Sequence, residues 1–313
     1  MIPHVVLLYH PDEAEAYARL VKAPRGSILL SVCTTPGEAA RVIGDAEILY
    51  AWNFPPELLA RAGRLRWIQV MGAGVERFLV PGLSQTVRIT RATGTFGPWM
   101  AEYTLVWCGW ITQRTERIRQ NQRERRWSPP PPDRLRGKTL AIVGLGNIGR
   151  EIARVARAFG MRVVGVTRLG KKVHGVDAVY RPSALSRALA GCDFAVVTLP
   201  LTAETRGLIG ERELRVMKAS AWLLNIGRGP VIQESALLRA LDERWIAGSI
   251  LDVFDAEPLP ADHPFWTREN LVVTPHVAGP SIPAEIAPIF NDNLRRYLSG
   301  RRLRYVVDRA RGY

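Results

Sequence analysis

Cysteine is scarce in this chain. Cys33, Cys108 and Cys192 are odd in number and far apart, and they offer neither a disulfide framework nor a C-x-x-C site. A reducing cytoplasm is therefore the expected compartment, and no metal site is expected. Long apolar runs are also missing. The run nearest the N-terminus, Val5 to Leu8, has the length of a strand and ends in His10-Pro11-Asp12-Glu13, which fits neither a signal peptide nor a membrane-spanning helix. No membrane partner is expected. Carboxylates are outnumbered, with 29 Asp and Glu against 43 Lys and Arg, for a net charge of +14. Such a balance invites a nucleic-acid reading, which would show as salt-dependent retention on DNA. However, the basic residues are mostly Arg and spread along the chain, and the clusters Arg114–Arg126 and Arg295–Arg304 come with no recognition motif. The first cluster also carries Glu116 and Glu124 and reads as a solvated helix face. No nucleic-acid partner is expected; a basic chain suits small anionic ligands instead.

What is present is organised around Leu140 to Gly160. The apolar run Leu140-Ala141-Ile142-Val143 has strand character, Gly144-Leu145-Gly146-Asn147-Ile148-Gly149 is a G-x-G-x-x-G, and Ile152, Val155, Ala156 and Phe159 recur at helical spacing. Strand, glycine turn and helix in that order form the context of a dinucleotide-binding fingerprint, although the six residues alone could be an ordinary βα turn. Gly144 permits the tight turn, Gly146 lets the backbone approach a pyrophosphate, and Gly149 lets the helix pack on the strand. The phosphates would meet the free N–H groups at the helix N-terminus.

At 313 residues the chain has room for two domains. Its first part alternates strands (Val5–Tyr9, Ser27–Val32, Ile48–Ala51, Trp67–Val70, Val87–Thr90) with helices (Glu13–Val21, Pro36–Val42, Pro56–Ala62), which predicts a parallel, doubly wound sheet. After the fourth strand comes Met71-Gly72-Ala73-Gly74-Val75-Glu76, either a backbone nest for a carboxylate or a plain glycine loop. A glycine turn at Thr93–Pro98 precedes a long helix over Trp99–Gln122, and Ser128-Pro129-Pro130-Pro131-Pro132-Asp133 must be an extended connector. The second part repeats the alternation with strands Val163–Thr167, Asp193–Leu199, Ala221–Ile226, Ile246–Leu251 and Leu271–Thr274 and a helix at Ser235–Asp242; a last helix spans Pro283–Leu298. The expected organisation is a flavodoxin-like domain at 1–98, completed by 284–313, into which a Rossmann domain at 99–283 is inserted.

Three motifs follow strands of the second part: Asn225-Ile226-Gly227-Arg228-Gly229, Leu251-Asp252-Val253-Phe254-Asp255-Ala256-Glu257-Pro258-Leu259-Pro260, and Thr274-Pro275-His276-Val277-Ala278-Gly279. Singly, Arg228 could be a surface charge, Glu257 a loop carboxylate and His276 a satisfied turn histidine. Together they supply a cation, a carboxylate and an imidazole at one sheet edge, which is what reduction of a 2-keto acid needs.

The fingerprint and these motifs, in this order and approximate spacing, resemble the D-2-hydroxyacid dehydrogenase family along the whole chain. Within it the branch of glyoxylate/hydroxypyruvate reductases of type A is most similar, on the stretch Phe254 to Pro260 and the ending Val307-Asp308-Arg309-Ala310-Arg311-Gly312-Tyr313. The resemblance implies a small 2-keto acid substrate, such as glyoxylate or hydroxypyruvate, reduced to the D-2-hydroxy acid. Arg228 would hold the substrate carboxylate and polarise the carbonyl, with backbone N–H groups of Ala73 and Gly74 also serving the carboxylate. His276 would donate the proton, and Glu257 would fix its orientation and favour its protonated form. Asp252 would meet the nicotinamide end, and Asn147, Ile148, Thr198, Pro200, Ile226 and Gly279 would line the cofactor. Glu76, where the family often has Asp, and Gln233-Glu234-Ser235, a less acidic start to a helix than usual, are departures. Trp52, Phe54, Phe96 and Trp99 stand as packing residues or as substrate contacts. The resemblance also points to a homodimer, which the bulk of Trp107 and Trp110 on the long helix and the reach of Pro129–Pro132 would suit; burial of that helix within its own domain would equally explain the bulk.

The remaining absence concerns the cofactor. An NAD site places an acid about 20 residues beyond the fingerprint, on the ribose 2′-OH. Here the strand ends in Thr167-Arg168, no carboxylate appears before Asp177, and Lys171 and Lys172 follow. Arg168 could pair with a 2′-phosphate, Thr167 could donate a hydroxyl and Lys171 add charge, so NADPH is the expected cofactor, with NADH possible. A basic surface loop with NAD used by default is the plainer reading. A dinucleotide-sensing or partner-binding protein on the same fold, without catalysis, is the alternative function; the Arg228, Glu257 and His276 set argues against it.

Overall fold

The computed structural model describes residues 2–313, which divide into two compact units, one running up to Thr95 and resuming at Ser281–Tyr313, the other Phe96–Pro280. In the first, the strands β1 (His4–Tyr9), β2 (Ile28–Cys33), β3 (Ile48–Ala51), β4 (Trp67–Val70) and β5 (Arg88–Arg91) form a parallel sheet in the order β2-β1-β3-β4-β5. The helices α1 (Ala14–Ala18), α2 (Pro36–Val42) and α3 (Pro56–Leu59) join them. β3 and β4 are buried along their whole length, the pattern of central strands covered on both faces. Thr35 caps α2 by accepting the Glu38 N–H, while the Glu38 carboxylate takes the Thr35 N–H in return. The C-terminal tail returns to this unit: Val307 N–H donates to Ile89 of β5, and the Arg309 guanidinium reaches the carbonyls of Leu83 and Ser84.

The second unit opens with α4 (Phe96–Thr112) and α5 (Thr115–Arg123). Its sheet comprises β6 (Thr139–Val143), β7 (Arg162–Val166), β8 (Ala178–Tyr180), β9 (Phe194–Val197), β10 (Trp222–Asn225), β11 (Gly248–Leu251) and β12 (Leu271–Val273), in the order β12-β11-β10-β9-β6-β7-β8, all parallel. The helices α6 (Asn147–Ala158), α7 (Leu185–Leu189), α8 (Glu211–Arg215) and α9 (Glu234–Asp242) lie between strands, and α10 (Pro283–Leu298) belongs to the first unit. The strand order reverses between β6 and β9, the topological switch where a doubly wound sheet leaves a crevice at its carboxyl edge. Both units are thus doubly wound parallel sheets. Ile152, Ala153 and Ala156 of α6 are buried, and a fully buried aliphatic side chain of the Ile152 kind contributes about 1.5–3 kcal/mol.

Two expectations are corrected. The single helix over Trp99–Gln122 starts three residues earlier and is broken in two, because Arg114 adopts the left-handed region at φ 52° and the Thr112 hydroxyl turns back onto the Cys108 and Gly109 carbonyls. In addition, β8, α7 and α8 are elements that hydrophobic periodicity does not announce. Each is three to five residues long, too short for a period to register. The other boundaries differ by a few residues, mostly by trimming of ends. Among the described residues no helix is long and apolar enough to cross a membrane.

Candidate active site

The glycine turn follows β6 directly. Gly144 takes φ +114°, a conformation closed to most side chains, and a Cβ on Gly149 would collide with the Gly144 carbonyl, so α6 can approach β6 only through glycine. At Gly146 a Cβ would meet nothing within 4 Å. This residue caps α6 without a side-chain hydrogen bond, leaving the first turn of a twelve-residue helix to offer its N–H groups to an anion. Across the switch, the Thr198 hydroxyl donates to the Gly144 carbonyl at 2.6 Å and ties the two central loops together. Asn147 is exposed, and Ile148, Thr198 and Pro200 are half-buried around the same edge. An open, glycine-floored cradle at a helix N-terminus fits a dinucleotide pyrophosphate.

Beyond β7, the Thr167 N–H donates to the Tyr180 carbonyl and the Thr167 hydroxyl accepts the Gly170 N–H at 2.9 Å, closing a tight turn. Arg168, Lys171 and Lys172 are exposed on it. Asp177, the first carboxylate after β7, is engaged at the opposite end of that strand: it accepts the Val163 N–H at 2.7 Å and pairs with Arg157 at 2.8 Å. These bonds hold its carboxyl below the usual range, against a burial effect that raises it. A further cation stands beside the turn. A Cβ on Gly170 would lie 2.7 Å from Cγ of Arg181, which follows β8. Sequence reading missed Arg181 because β8 was not recognised.

Arg228, Glu257 and His276, the three candidate reactive residues, all belong to the second unit. Arg228 follows β10, where Asn225 Nδ2 donates to its carbonyl and its own guanidinium donates to the Gly227 carbonyl at 2.7 Å. A side chain on Gly229 would overlap the Phe254 and Asp255 backbone, so glycine is what lets the Arg228 loop press against the loop after β11. In that second loop Glu257 Oε1 accepts the Phe254 N–H at 2.9 Å, and Oε2 meets His276 Nδ1 at 2.8 Å. Burial works against the Glu257 charge. The His276 and Phe254 hydrogen bonds, with the charges of His276 and Arg228, outweigh it and hold the carboxyl below its ordinary value. The arrangement engages Nδ1 and leaves Nε2 as the ring nitrogen for another partner.

His276 itself has φ 54°, a conformation that costs a non-glycine residue roughly 1–2 kcal/mol. Asp252, 1% exposed, offsets it: one carboxylate oxygen accepts the Val277 N–H and the other the Ala278 N–H, both at 2.9 Å. Burial is the largest influence on Asp252 and raises its pKa, against these bonds, one from Thr274, and the His276 charge. Ile226 is buried behind this edge, and Gly279 packs on Met100 and Phe96.

In the first unit, Ala73 and Gly74 are half-buried after β4, and Arg91 donates to the Ala73 carbonyl at 3.1 Å. Trp52 lies so close over Gly72 that no side chain fits there, and its ring stacks on His10, 6.4 Å away between centroids. Phe54 and Phe96 are buried in packing, whereas Trp99 is 40% exposed. Gln233 does not cap α9; its amide reaches the Gly207 carbonyl instead.

Comparison with known proteins gives this arrangement its context. The family model described as D-isomer specific 2-hydroxyacid dehydrogenase, NAD binding domain, matches residues 110–278. The chain is 33% identical over 275 residues to glyoxylate/hydroxypyruvate reductase A of Photorhabdus laumondii subsp. laumondii, covering 86% of this chain and 88% of that one. The crystal structure of a D-isomer specific 2-hydroxyacid dehydrogenase family protein from Aeromonas salmonicida superposes with a TM-score of 0.90 at 36% identity, over 99% of this chain and 100% of that chain. That of an NADPH-dependent glyoxylate/hydroxypyruvate reductase from Sinorhizobium meliloti, in complex with NADP and sulfate, gives 0.89 at 28% identity, again over 99% and 100%. The chain belongs to the D-isomer specific 2-hydroxyacid dehydrogenase family of oxidoreductases.

Proposed function

We propose that the protein reduces a small 2-keto acid, of the size of glyoxylate or hydroxypyruvate, to the D-2-hydroxy acid at the expense of NADPH. The observation that carries this reading is the 2.8 Å pair of His276 and Glu257 beside the loop of Arg228 at one sheet edge. Arg228 binds the substrate carboxylate and draws electron density from the carbonyl; the first unit, with Ala73 and Gly74, is assigned to substrate. His276 donates a proton from Nε2 to the carbonyl oxygen, and Glu257 keeps the imidazole oriented and balances the imidazolium. The bound cofactor supplies the hydride. Gly144–Gly149 would hold its pyrophosphate, Thr167, Arg168, Lys171 and Arg181 its adenosine end, and Thr198, Pro200, Ile226, Asp252 and Gly279 would line the remainder.

Preference for NADPH over NADH rests on the exposed cations after β7 and on the engagement of Asp177 at the far end of that strand. We also propose a homodimer built on α4. Val106 on α4 is 67% exposed and Trp127, at the start of the proline connector, fully exposed, apolar side chains that a second copy would cover. The three cysteines are free and buried, which suits the cytoplasm. The test is NADPH and NADH oxidation with a panel of 2-keto acids, recorded as kcat/KM. Turnover of glyoxylate or hydroxypyruvate, faster with NADPH, is expected. Nucleotide binding without turnover of any 2-keto acid would favour the sensing function instead.

A further inference from the structure

The loop that carries His276 is connected to a tyrosine far from it in sequence. Tyr103 sits on α4, and burial raises its pKa strongly. The ring is half-buried, and its hydroxyl oxygen lies 2.6 Å from the Thr274 hydroxyl. Thr274 in turn lies 2.6 Å from Asp252 Oδ1. A carboxylate only accepts, so the single threonine proton goes to Asp252, and Tyr103 must donate to Thr274. The same Asp252 oxygen accepts the Val277 N–H, and its neighbour accepts the Ala278 N–H. The two amides immediately following His276 are therefore fixed by a carboxylate that Thr274 holds and Tyr103 orders. Without the phenol proton, the threonine hydroxyl is free to turn toward the Leu251 carbonyl, 3.5 Å away, and Asp252 loses a donor.

We propose that Tyr103 is a positioning residue for His276, acting through Thr274 and Asp252 to hold the left-handed backbone from which the imidazole is presented. The proposal rests on His276 being the proton donor of a reductase. It makes Asp252 first a brace of the reactive loop, in addition to any contact with cofactor. It also gives α4 a part in the reaction, because α4 is where the donor of the series resides.

The experiment compares Tyr103→Phe, Thr274→Val, their combination and Thr274→Ser in the full-length protein. Tyr103→Phe should lower kcat for 2-keto acid reduction about tenfold while KM for NADPH stays within about twofold. Thr274→Val should do at least as much, the double variant should be no worse than Thr274→Val alone, and Thr274→Ser should restore turnover relative to valine. Amide hydrogen exchange at Val277 and Ala278, which needs no activity, should quicken about tenfold in Tyr103→Phe. Unchanged kcat together with unchanged exchange in Tyr103→Phe, or additive losses in the double variant, would overturn the proposal. Wild-type protein that turns over no 2-keto acid would sink the proposed function instead, and the exchange rates would still decide whether Tyr103 braces the loop.

Discussion

Two loops leave the carboxyl edge of the same seven-stranded sheet and are built in opposite ways. The one after β12 is held from several sides: Asp252 binds the amides of Val277 and Ala278, and Glu257 holds the His276 ring. The one after β7 is a single tight turn closed by the Thr167 hydroxyl, with its cations pointing into solvent. The proposed function gives this contrast a reason. A proton donor must stand within hydrogen-bond reach of one atom, and misplacement by about 1 Å costs on the order of 10²-fold. Discrimination between a 2′-phosphate and a 2′-hydroxyl requires the right sign of charge in roughly the right place, and flexible side chains supply that. On the proposed function, the loop of His276 is braced from several sides by hydrogen bonds, while the loop assigned to nucleotide selection is exposed and closed by one turn.

This contrast can be broken by substitution. Apart from His276 itself, the largest effect is expected at Arg228. Arg228→Ala removes a charged hydrogen-bonding group from both binding and polarisation, about 2–5 kcal/mol, so kcat/KM for the 2-keto acid should fall by roughly 30- to 5,000-fold. Steady-state kinetics should show both a raised KM and a lowered kcat; a change in KM alone would assign Arg228 to binding only. Arg168→Ala should be milder and confined to the nucleotide. A charge-assisted hydrogen bond contributes about 1.5–3 kcal/mol, so the NADPH-to-NADH ratio of kcat/KM should drop roughly 10- to 100-fold with little change in kcat. A ratio that stays put in Arg168→Ala and moves only on adding Arg181→Ala would transfer the selecting role to the cation after β8.

The smallest expected effect concerns pH. Glu257 has its carboxyl held below the ordinary value in the folded chain. Its contribution to stability is therefore present above the unfolded pKa, near 4.3, and lost as pH falls through the folded value. The melting-temperature difference between wild type and Glu257→Gln should be present at neutral pH and shrink below about pH 4. A difference constant across that range would mean that the ionised form of Glu257 adds nothing.

The same contrast explains what could be read before any coordinates. The fingerprint, Arg228, Glu257 and His276 are polar or glycine residues standing just after buried strands, and a one-dimensional pattern carries that signal. The doubly wound parallel architecture was legible for the same reason: β1, β3, β6, β9 and β10 are short, largely apolar runs. Tyr103 fell inside an expected helix and Thr274 at the end of an expected strand, because a hydroxyl reveals its partner only when α4 and β12 are brought together. Arg181 was hidden by β8, three half-buried residues with no period to read. The break at Arg114 was concealed because the polar run after it keeps helical character on both sides of one left-handed residue.

The central claim is that the imidazole after β12 moves the proton while the rest of the second unit holds the nucleotide. His276→Ala, loaded with NADPH and mixed with glyoxylate in a single turnover, tests it most directly. The account predicts NADPH affinity within about threefold of wild type and hydride transfer slowed roughly 10²–10⁴-fold. Transfer at the wild-type rate, or a loss of NADPH affinity large enough to explain the slower transfer, would contradict it.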